Sequence, residues 1–340
     1  MKPKLVIGAN GFLGSHVTRQ LVADGHDVRV MVRPNANTTG IDDLSVTRFL
    51  GDIWDDDTLR EAMAGVDDVY YCVVDTRGWL HDPAPLFRTN VDGTRNVLDI
   101  ASEKDIAAGL RKFVFTSSYV TVGRRPGHRA SEDDTITGER GLTPYVCSRL
   151  RAEKMVLQYA KEQGLPAVAM CVSTTYGSGD WGRTPHGAII AGAAFGKLPF
   201  VMRGIELEAV GIDDAARAMI LAAEHGRVGE RYLISEKMIS NAEVARIAAD
   251  AAGVPPPAKA IPLPVAYALA SFGTMKARLR GTDELLSLGS LRLMRAEAAV
   301  DHTKATRELG WEPKPVEDSI RAAARFWVGL RDAKRKSKTG

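Results

Sequence analysis

The sequence predicts an α/β protein: a doubly wound parallel sheet with a smaller, mostly helical subdomain at its C-terminal end. Three observations lead there. Short runs rich in β-branched residues alternate with amphipathic stretches through the first half of the chain. A glycine-spaced turn, Gly8-Ala9-Asn10-Gly11-Phe12-Leu13-Gly14, follows the first run and opens the first helical stretch. After residue 175 glycine, alanine and proline cluster, and helical patterns then dominate. Strands that are apolar on both faces need helices on both sides, and right-handed crossovers place them there.

Taken in order, the predicted strands cover residues 5–8, 28–32, 46–50, 69–74, 113–116 and 167–172. The helices between them cover 12–24, 58–64, 91–104 and 145–163. Beyond residue 175, helices at 213–224 and 241–252 flank a strand at 231–234. Val254-Pro255-Pro256-Pro257 is a rigid linker. Helices at 265–280 and 320–330 follow. The division is a dinucleotide-binding domain at 1–175, to which later segments return, a substrate-binding subdomain at 176–330, and a basic tail at 331–340. The apolar stretch 261–275 contains Pro262 and Pro264 and is shorter than the ~20 residues that span a bilayer. It reads as a buried helix in preference to a membrane-surface one. The tail carries Arg331, Lys334, Arg335, Lys336 and Lys338 against Asp332. It reads as a frayed, solvated end, with weak attraction to an anionic membrane as the lesser alternative.

Composition excludes several classes. Of 340 residues, 45% are hydrophobic and 26% charged, which rules out a disordered, collagen-like or membrane-spanning chain. Lys plus Arg is 45 against 42 for Asp plus Glu, a net +3, so no nucleic-acid partner is expected. Cys72, Cys147 and Cys171 are too few for a disulfide framework and lack zinc spacing. They fit buried thiols in a reducing compartment. The apolar run Leu5-Val6-Ile7 is too short for a signal peptide, which needs ~7–15 residues, so a cytoplasmic location is expected.

The glycine turn predicts a nucleotide site. Glycines let the backbone approach a pyrophosphate, and the following helix offers free N–H groups and a partial positive charge. An acid at the tip of the second strand would hold the 2′-hydroxyl of NAD. Here the strand ends Val32-Arg33-Pro34. Arg33 suits a 2′-phosphate, so NADP(H) is expected over NAD(H). Gly51-Asp52-Ile53 follows the third strand, where Asp52 could reach the adenine amine. The run Asp55-Asp56-Asp57 reads as a helix N-cap rather than a metal site, and no metal is expected.

Chemistry is predicted at Tyr145 and Arg149. Residues i and i+4 share a helical face, and a cation one turn from a phenol favours the phenolate, which helps proton transfer. The strand Phe113-Val114-Phe115-Thr116-Ser117-Ser118 ends in hydroxyls that could face a cofactor.

With these residues in view, the sequence resembles an extended short-chain dehydrogenase/reductase, in the superfamily of NAD-dependent epimerases and dehydratases with a Rossmann fold. Within it the dihydroflavonol-reductase-like and hydroxysteroid-dehydrogenase-like branch is most similar. The stretches are the glycine turn, Gly51-Asp52-Ile53, Asn90-Val91-Asp92-Gly93-Thr94-Arg95-Asn96-Val97-Leu98, Phe115-Thr116-Ser117-Ser118, the segment from Tyr145 to Glu153, Gly177-Ser178-Gly179-Asp180 and Glu308-Leu309-Gly310-Trp311. The resemblance implies that Ser118 polarises the substrate oxygen, Tyr145 transfers the proton, and the cation at 149 holds the nicotinamide ribose. It also implies that Gly8, Asn10, Gly11, Phe12, Leu13, Gly14, Val73, Asn90, Val172 and Ser173 lie along the cofactor. Three residues depart from the family pattern. Arg149 stands where the family has lysine, Ile7 where it usually has threonine, and Val172 where it usually has proline. Arginine cannot relay a proton.

The function expected is an NADP(H)-dependent reductase or dehydrogenase acting on a secondary alcohol or ketone. Trp79, Tyr119, Tyr176, Trp181 and Phe195 are the candidate substrate residues, and they favour an apolar aromatic or polycyclic, steroid-like substrate. One alternative is a nucleotide-sugar epimerase or dehydratase with bound NAD, for which Arg183 and Arg203 could hold a diphosphate. Another is a cofactor-binding regulatory protein without turnover. By analogy with the family, a homodimer built on the 91–104 and 145–163 helices is expected.

Overall fold

The computed structural model describes residues 2–124, 127–294 and 299–339. The chain runs β1 (Lys4–Ile7), α1 (Phe12–Ala23), β2 (Val28–Val32), β3 (Thr47–Leu50), α2 (Asp56–Met63), β4 (Asp68–Tyr71) and α3 (Ala84–Phe87). A π-turn at Arg88–Asp92 leads into α4 (Gly93–Ala101), α5 (Lys104–Ala107) and β5 (Lys112–Ser118). A 3-10 turn at Tyr119–Thr121 precedes α6 (Pro144–Gln163), β6 (Ala167–Val172), β7 (Thr174–Tyr176) and α7 (Pro185–Ala194). Then come β8 (Val201–Met202), β9 (Glu206–Gly211), α8 (Ile212–His225), β10 (Arg231–Ile234), β11 (Lys237–Ser240) and α9 (Asn241–Ala251). The last elements are β12 (Ala260–Ile261), α10 (Leu263–Arg280), α11 (Leu288–Met294), α12 (Thr303–Leu309) and α13 (Val316–Thr339).

Seven strands form one parallel sheet in the order β3-β2-β1-β4-β5-β6-β10. Chain order reverses between β1 and β4, which opens a crevice at the carboxyl ends of those strands. One face packs Phe113, Phe115, Leu98 and Val156 beneath α2, α4 and α6. The other packs Val17, Leu21, Met219 and Trp311 beneath α1, α8 and α12. A third cluster joins α7, α9 and α13, with Ile190, Val244 and Ile320 at its centre. Two small sheets, β11-β9-β7 and β12-β8, carry the chain between these layers.

Four expectations need correction. The strand expected at 69–74 ends at Tyr71, because the chain beyond is held by a side chain: Asn90 Oδ1 accepts from the Asp75 N–H. The helix expected at 91–104 is a π-turn, α4 and α5, separated at Ser102 and Glu103. The stretch at 261–275, expected as a buried helix, forms most of α10, but only its alanine and glycine face is buried. The tail expected to fray continues α13 as far as Thr339. Residues 331–339 hold no proline or glycine, so nothing there ends a helix; Gly340 lies outside the described residues. Asp55 does cap α2, with Oδ1 accepting from the Thr58 N–H at 3.2 Å.

Candidate active site

The glycine turn is shaped by close approach. Gly8 has a left-handed φ of 83°, and its carbonyl accepts from the Gly11 N–H. A Cβ on Gly14 would come within 2.3 Å of that carbonyl oxygen, so only glycine lets α1 start here. A Cβ on Gly8 would meet Val73 Cγ2 at 2.9 Å, which sets Val73 beside the turn. Among the described residues no side chain caps the α1 N-terminus, and its first turn holds no acid, so its N–H groups stay available to an anion. Asn10, Phe12 and Leu13 line this opening half-buried, with Phe12 edge-on to His16. Arg33 stands exposed where the chain leaves β2, and Asp52 is half-buried where it leaves β3. Ile53 is buried against Gly93, where a Cβ would come within 2.3 Å of its side chain, and its carbonyl accepts from Asn96 Nδ2.

Across the crevice, β5 and β6 are in register, with Ser118 opposite Val172. Alternation along β5 sends Ser117 and Ser118 to opposite sides. Ser117 Oγ donates to Glu153 Oε2, so that hydroxyl is engaged behind the strand. Ser118 is buried at the strand end, where its Oγ accepts from the Val120 N–H at 3.5 Å and caps the 3-10 turn. Ser173 Oγ is buried without a partner among the described residues.

Thr143 caps α6 and Pro144 begins it, which puts half-buried Tyr145 in the first turn and Arg149 one turn further. Arg149 is fully buried. Its Nη2 donates to the Thr116 carbonyl, and its guanidinium carbon lies 5.1 Å from the Phe115 ring centroid. Nε and Nη1 have no partner among the described residues. Burial pulls the guanidinium pKa down from its ordinary value, with the nearby Tyr145 and Tyr71 phenols pulling the other way. Asn90 is also fully buried, and its amide is taken up within the protein. It brackets the Asp75 backbone and donates to Ser148 Oγ at 3.1 Å, tying the loop after β4 to α6 beside Arg149.

The five aromatic candidates separate. Trp79 follows Gly78, whose added Cβ would lie 3.4 Å from Tyr145 Cβ, so its loop passes over Tyr145. Tyr119 directly follows Ser118 and is buried, with Arg124 4.9 Å from its ring centroid. Tyr176 is buried at the end of β7, near enough for its phenol to feel that of Tyr119. Trp181 and Phe195 belong elsewhere. Trp181 packs between Gly40 and Phe326, and Phe195 packs in the α7–α9–α13 core under Arg331. Aromatic residues in loops have no periodicity to say which face they serve, and both are packing residues here. Arg183 and Arg203, the candidate diphosphate clamp, are exposed.

Sequence reasoning passed over Glu153. It is buried, accepts from Thr121 Oγ1 at 2.6 Å and Arg231 Nη1 at 2.8 Å, and holds Ser117 and Cys171. The spacing Tyr145, Arg149, Glu153 repeats every four residues on one helix face, and that was the available signal.

The glycine cradle, the uncapped helix and the orphan donors of Arg149 and Ser173 would fit a nicotinamide dinucleotide. Fold and site thus define a dinucleotide-dependent oxidoreductase acting on CH–OH or C=O. The chain belongs to the NAD dependent epimerase/dehydratase family, whose profile matches residues 4–235. It is 28% identical over 328 residues to a Synechocystis sp. protein with a provisional dihydroflavonol 4-reductase name, covering 95% of this chain and 93% of that one. It is 29% identical over 312 residues to sterol demethylase protein B of Methylococcus capsulatus, covering 91% and 93%. Among solved structures, gox2253 superposes with a TM-score of 0.84 at 33% identity, covering 97% of this chain and 99% of that one.

Proposed function

We propose that this protein is an NADP(H)-dependent ketone reductase, or the corresponding alcohol dehydrogenase, for an apolar ring substrate. One observation carries the reading. A phenol and a buried guanidinium with two open donors stand one turn apart at the start of α6, and a buried serine hydroxyl ends β5, whose Thr116 carbonyl that guanidinium holds. Arg149 would hold the nicotinamide ribose through Nε and Nη1. Gly8, Gly11 and Gly14 would admit the pyrophosphate, and Arg33 would pair with a 2′-phosphate. When bound, the reduced nicotinamide supplies a hydride to a carbonyl carbon. Ser118 donates to the carbonyl oxygen and orients it. Tyr145 gives its proton to that oxygen as the alcohol forms, and the positive charge of Arg149 steadies the phenolate left behind. Arginine does not pass on a proton, so half-buried Tyr145 is refilled from the solvent side.

Trp79, in the loop over Tyr145, and buried Tyr119 and Tyr176 would supply an apolar wall for the substrate. The sterol and flavonol words in the names of two relatives point to ring substrates of the same character. Arg95, Arg151, Lys154 and Gln158 make the outward faces of α4 and α6 polar, so a homodimer there would be held by polar contacts rather than apolar burial.

The test is a panel of ring ketones, ring alcohols and nucleotide sugars run with NADPH and with NADH. Turnover of ring ketones with NADPH is expected. Arg33→Glu should weaken NADPH binding by about 2 kcal/mol, the scale of a lost charge-assisted contact, while sparing NADH. Turnover of nucleotide sugars alone, or an unaltered preference for NADH, would overturn the reading.

A further inference from the structure

Helix α10 is apolar on two sides, and among the described residues only one of them meets protein. Ala266, Ala270, Gly273 and Ala277 recur at helical spacing and are buried. The fit is close enough that a Cβ on Gly273 would come within 2.1 Å of the Leu286 carbonyl oxygen. The opposite side presents Val265, Leu269, Phe272, Met275 and Leu279, again at spacings of three and four, with Phe272 65% and Leu279 80% exposed. With Leu285, six of the nine exposed large apolar side chains among the described residues fall within 265–285. Scattered exposed apolar residues are ordinary; a straight stripe of them is an interaction surface.

Charge says what covers it. α10 contains no acidic residue, and its last turns carry Lys276, Arg278 and Arg280. Lys276 pairs with Glu284, while Arg278 and Arg280 stand exposed beside Leu279. An apolar stripe ending in cations complements an anionic lipid surface: the stripe enters the acyl boundary and the cations meet headgroups. Among the described residues no helix is long and apolar enough to cross a membrane, so α10 would lie in the surface.

The buried side of α10 connects the helix to the site. On α11, Leu291 packs with Ala266 and Ala270 of α10. Two residues on, Leu293 clusters with Tyr145 and lies 3.2 Å from a Cβ built on Gly78. We infer that α10 docks flat on an anionic membrane surface, and that an apolar substrate passes from that lipid along the α10–α11 pair to Tyr145. The second half rests on the proposed ketone reductase reading; the docking does not.

The experiment floats the full chain with vesicles of phosphatidylcholine alone and of phosphatidylcholine with phosphatidylglycerol. Binding to the mixed vesicles, weakened by salt, is expected. Phe272→Asp with Leu279→Asp should lower the bound fraction at least about tenfold. Arg278→Gln with Arg280→Gln should remove the preference for phosphatidylglycerol. All these side chains are exposed, so far-ultraviolet circular dichroism and turnover of a water-soluble ketone should match the unaltered protein. Failure of the unaltered protein to bind the mixed vesicles would overturn the docking. So would sedimentation showing a dimer that the Phe272→Asp, Leu279→Asp pair dissociates, which would assign the stripe to a second copy. If vesicles bind but do not speed turnover of a lipid-dissolved ketone, the docking stands and the delivery route falls. Absence of every ketone activity in the unaltered protein would instead strike the functional reading, and with it the delivery route, and leave the docking standing.

Discussion

Arg149 has three guanidinium nitrogens, and only Nη2 finds a partner among the described residues. A buried donor left open costs about 1–3 kcal/mol, so Nε and Nη1 favour a ligand that brings acceptors, as ribose hydroxyls do. Lysine would satisfy the same field with a compact ammonium, and arginine adds a planar fork. Arg149→Ala should therefore weaken cofactor binding and slow turnover together, while Arg149→Lys stays active. Tyr145→Phe should lower the rate about 10²–10⁴-fold with far less effect on cofactor affinity. Steady-state rates at saturating NADPH with an accepted ketone check this, and equal rates for Tyr145→Phe and the unaltered protein would remove Tyr145 from the proton transfer. The Tyr145–Arg149 pair was legible because i, i+4 spacing fixes a shared face. Ser118 rather than Ser117 was named through the family resemblance alone, since strand alternation does not say which side holds an acceptor. In the structure Glu153, behind the strand, engages Ser117.

The sheet elements were legible because strands buried on both faces must be apolar throughout, and six such runs lie between helical stretches. Composition could not orient α10, because alanine and glycine on one side and leucine and phenylalanine on the other average to one apolar segment. The short helix α12 shows a further contribution invisible to pattern. Its Glu308 accepts from Tyr232 Oη at 2.9 Å, from Arg227 Nε at 2.9 Å and from Arg307 Nη2 at 3.0 Å, fastening α12 to β10. Burial pushes its pKa up, but these bonds prevail and hold it at about 2 against an ordinary 4.5. A depressed carboxylate stabilises the fold above its unfolded pKa and loses that contribution as pH falls through the folded one. Glu308→Gln should therefore lower the urea midpoint at neutral pH. The gap from the unaltered protein should persist down to about pH 4.5 and close as pH falls to about 2. Urea curves of both proteins across that range check it, and a gap that does not narrow would show that the carboxylate charge is not what fastens α12.

At the scale of the molecule, the division after residue 175 follows composition, but the contacts cross it. β10 returns to pair with β6, and α8 lies over the sheet with Met219 and Ala218 in the same core as Val17 and Leu21. Arg231 of β10 donates to Glu153 of α6 at 2.8 Å, with both side chains nearly out of solvent, and also to the carbonyls of Glu132 and Asp134. Sequence reading could not find this pair, because 78 residues separate its members and neither position carries a local pattern. A sheet whose last strand comes from the later half cannot be completed by residues 1–175 alone. The whole chain should therefore unfold in one urea transition, seen alike by far-ultraviolet circular dichroism and tryptophan fluorescence. The fluorescence probe is well placed, because Trp311 sits in the sheet's core and Trp327 in the α7–α9–α13 core. Glu153→Ala strands Arg231 as a buried charge without its partner, a change that costs about 3–5 kcal/mol. It should move both signals to lower urea together. Two separated transitions in the unaltered protein, or a shift of one signal without the other, would mean that the two halves fold as independent units despite the strand they share.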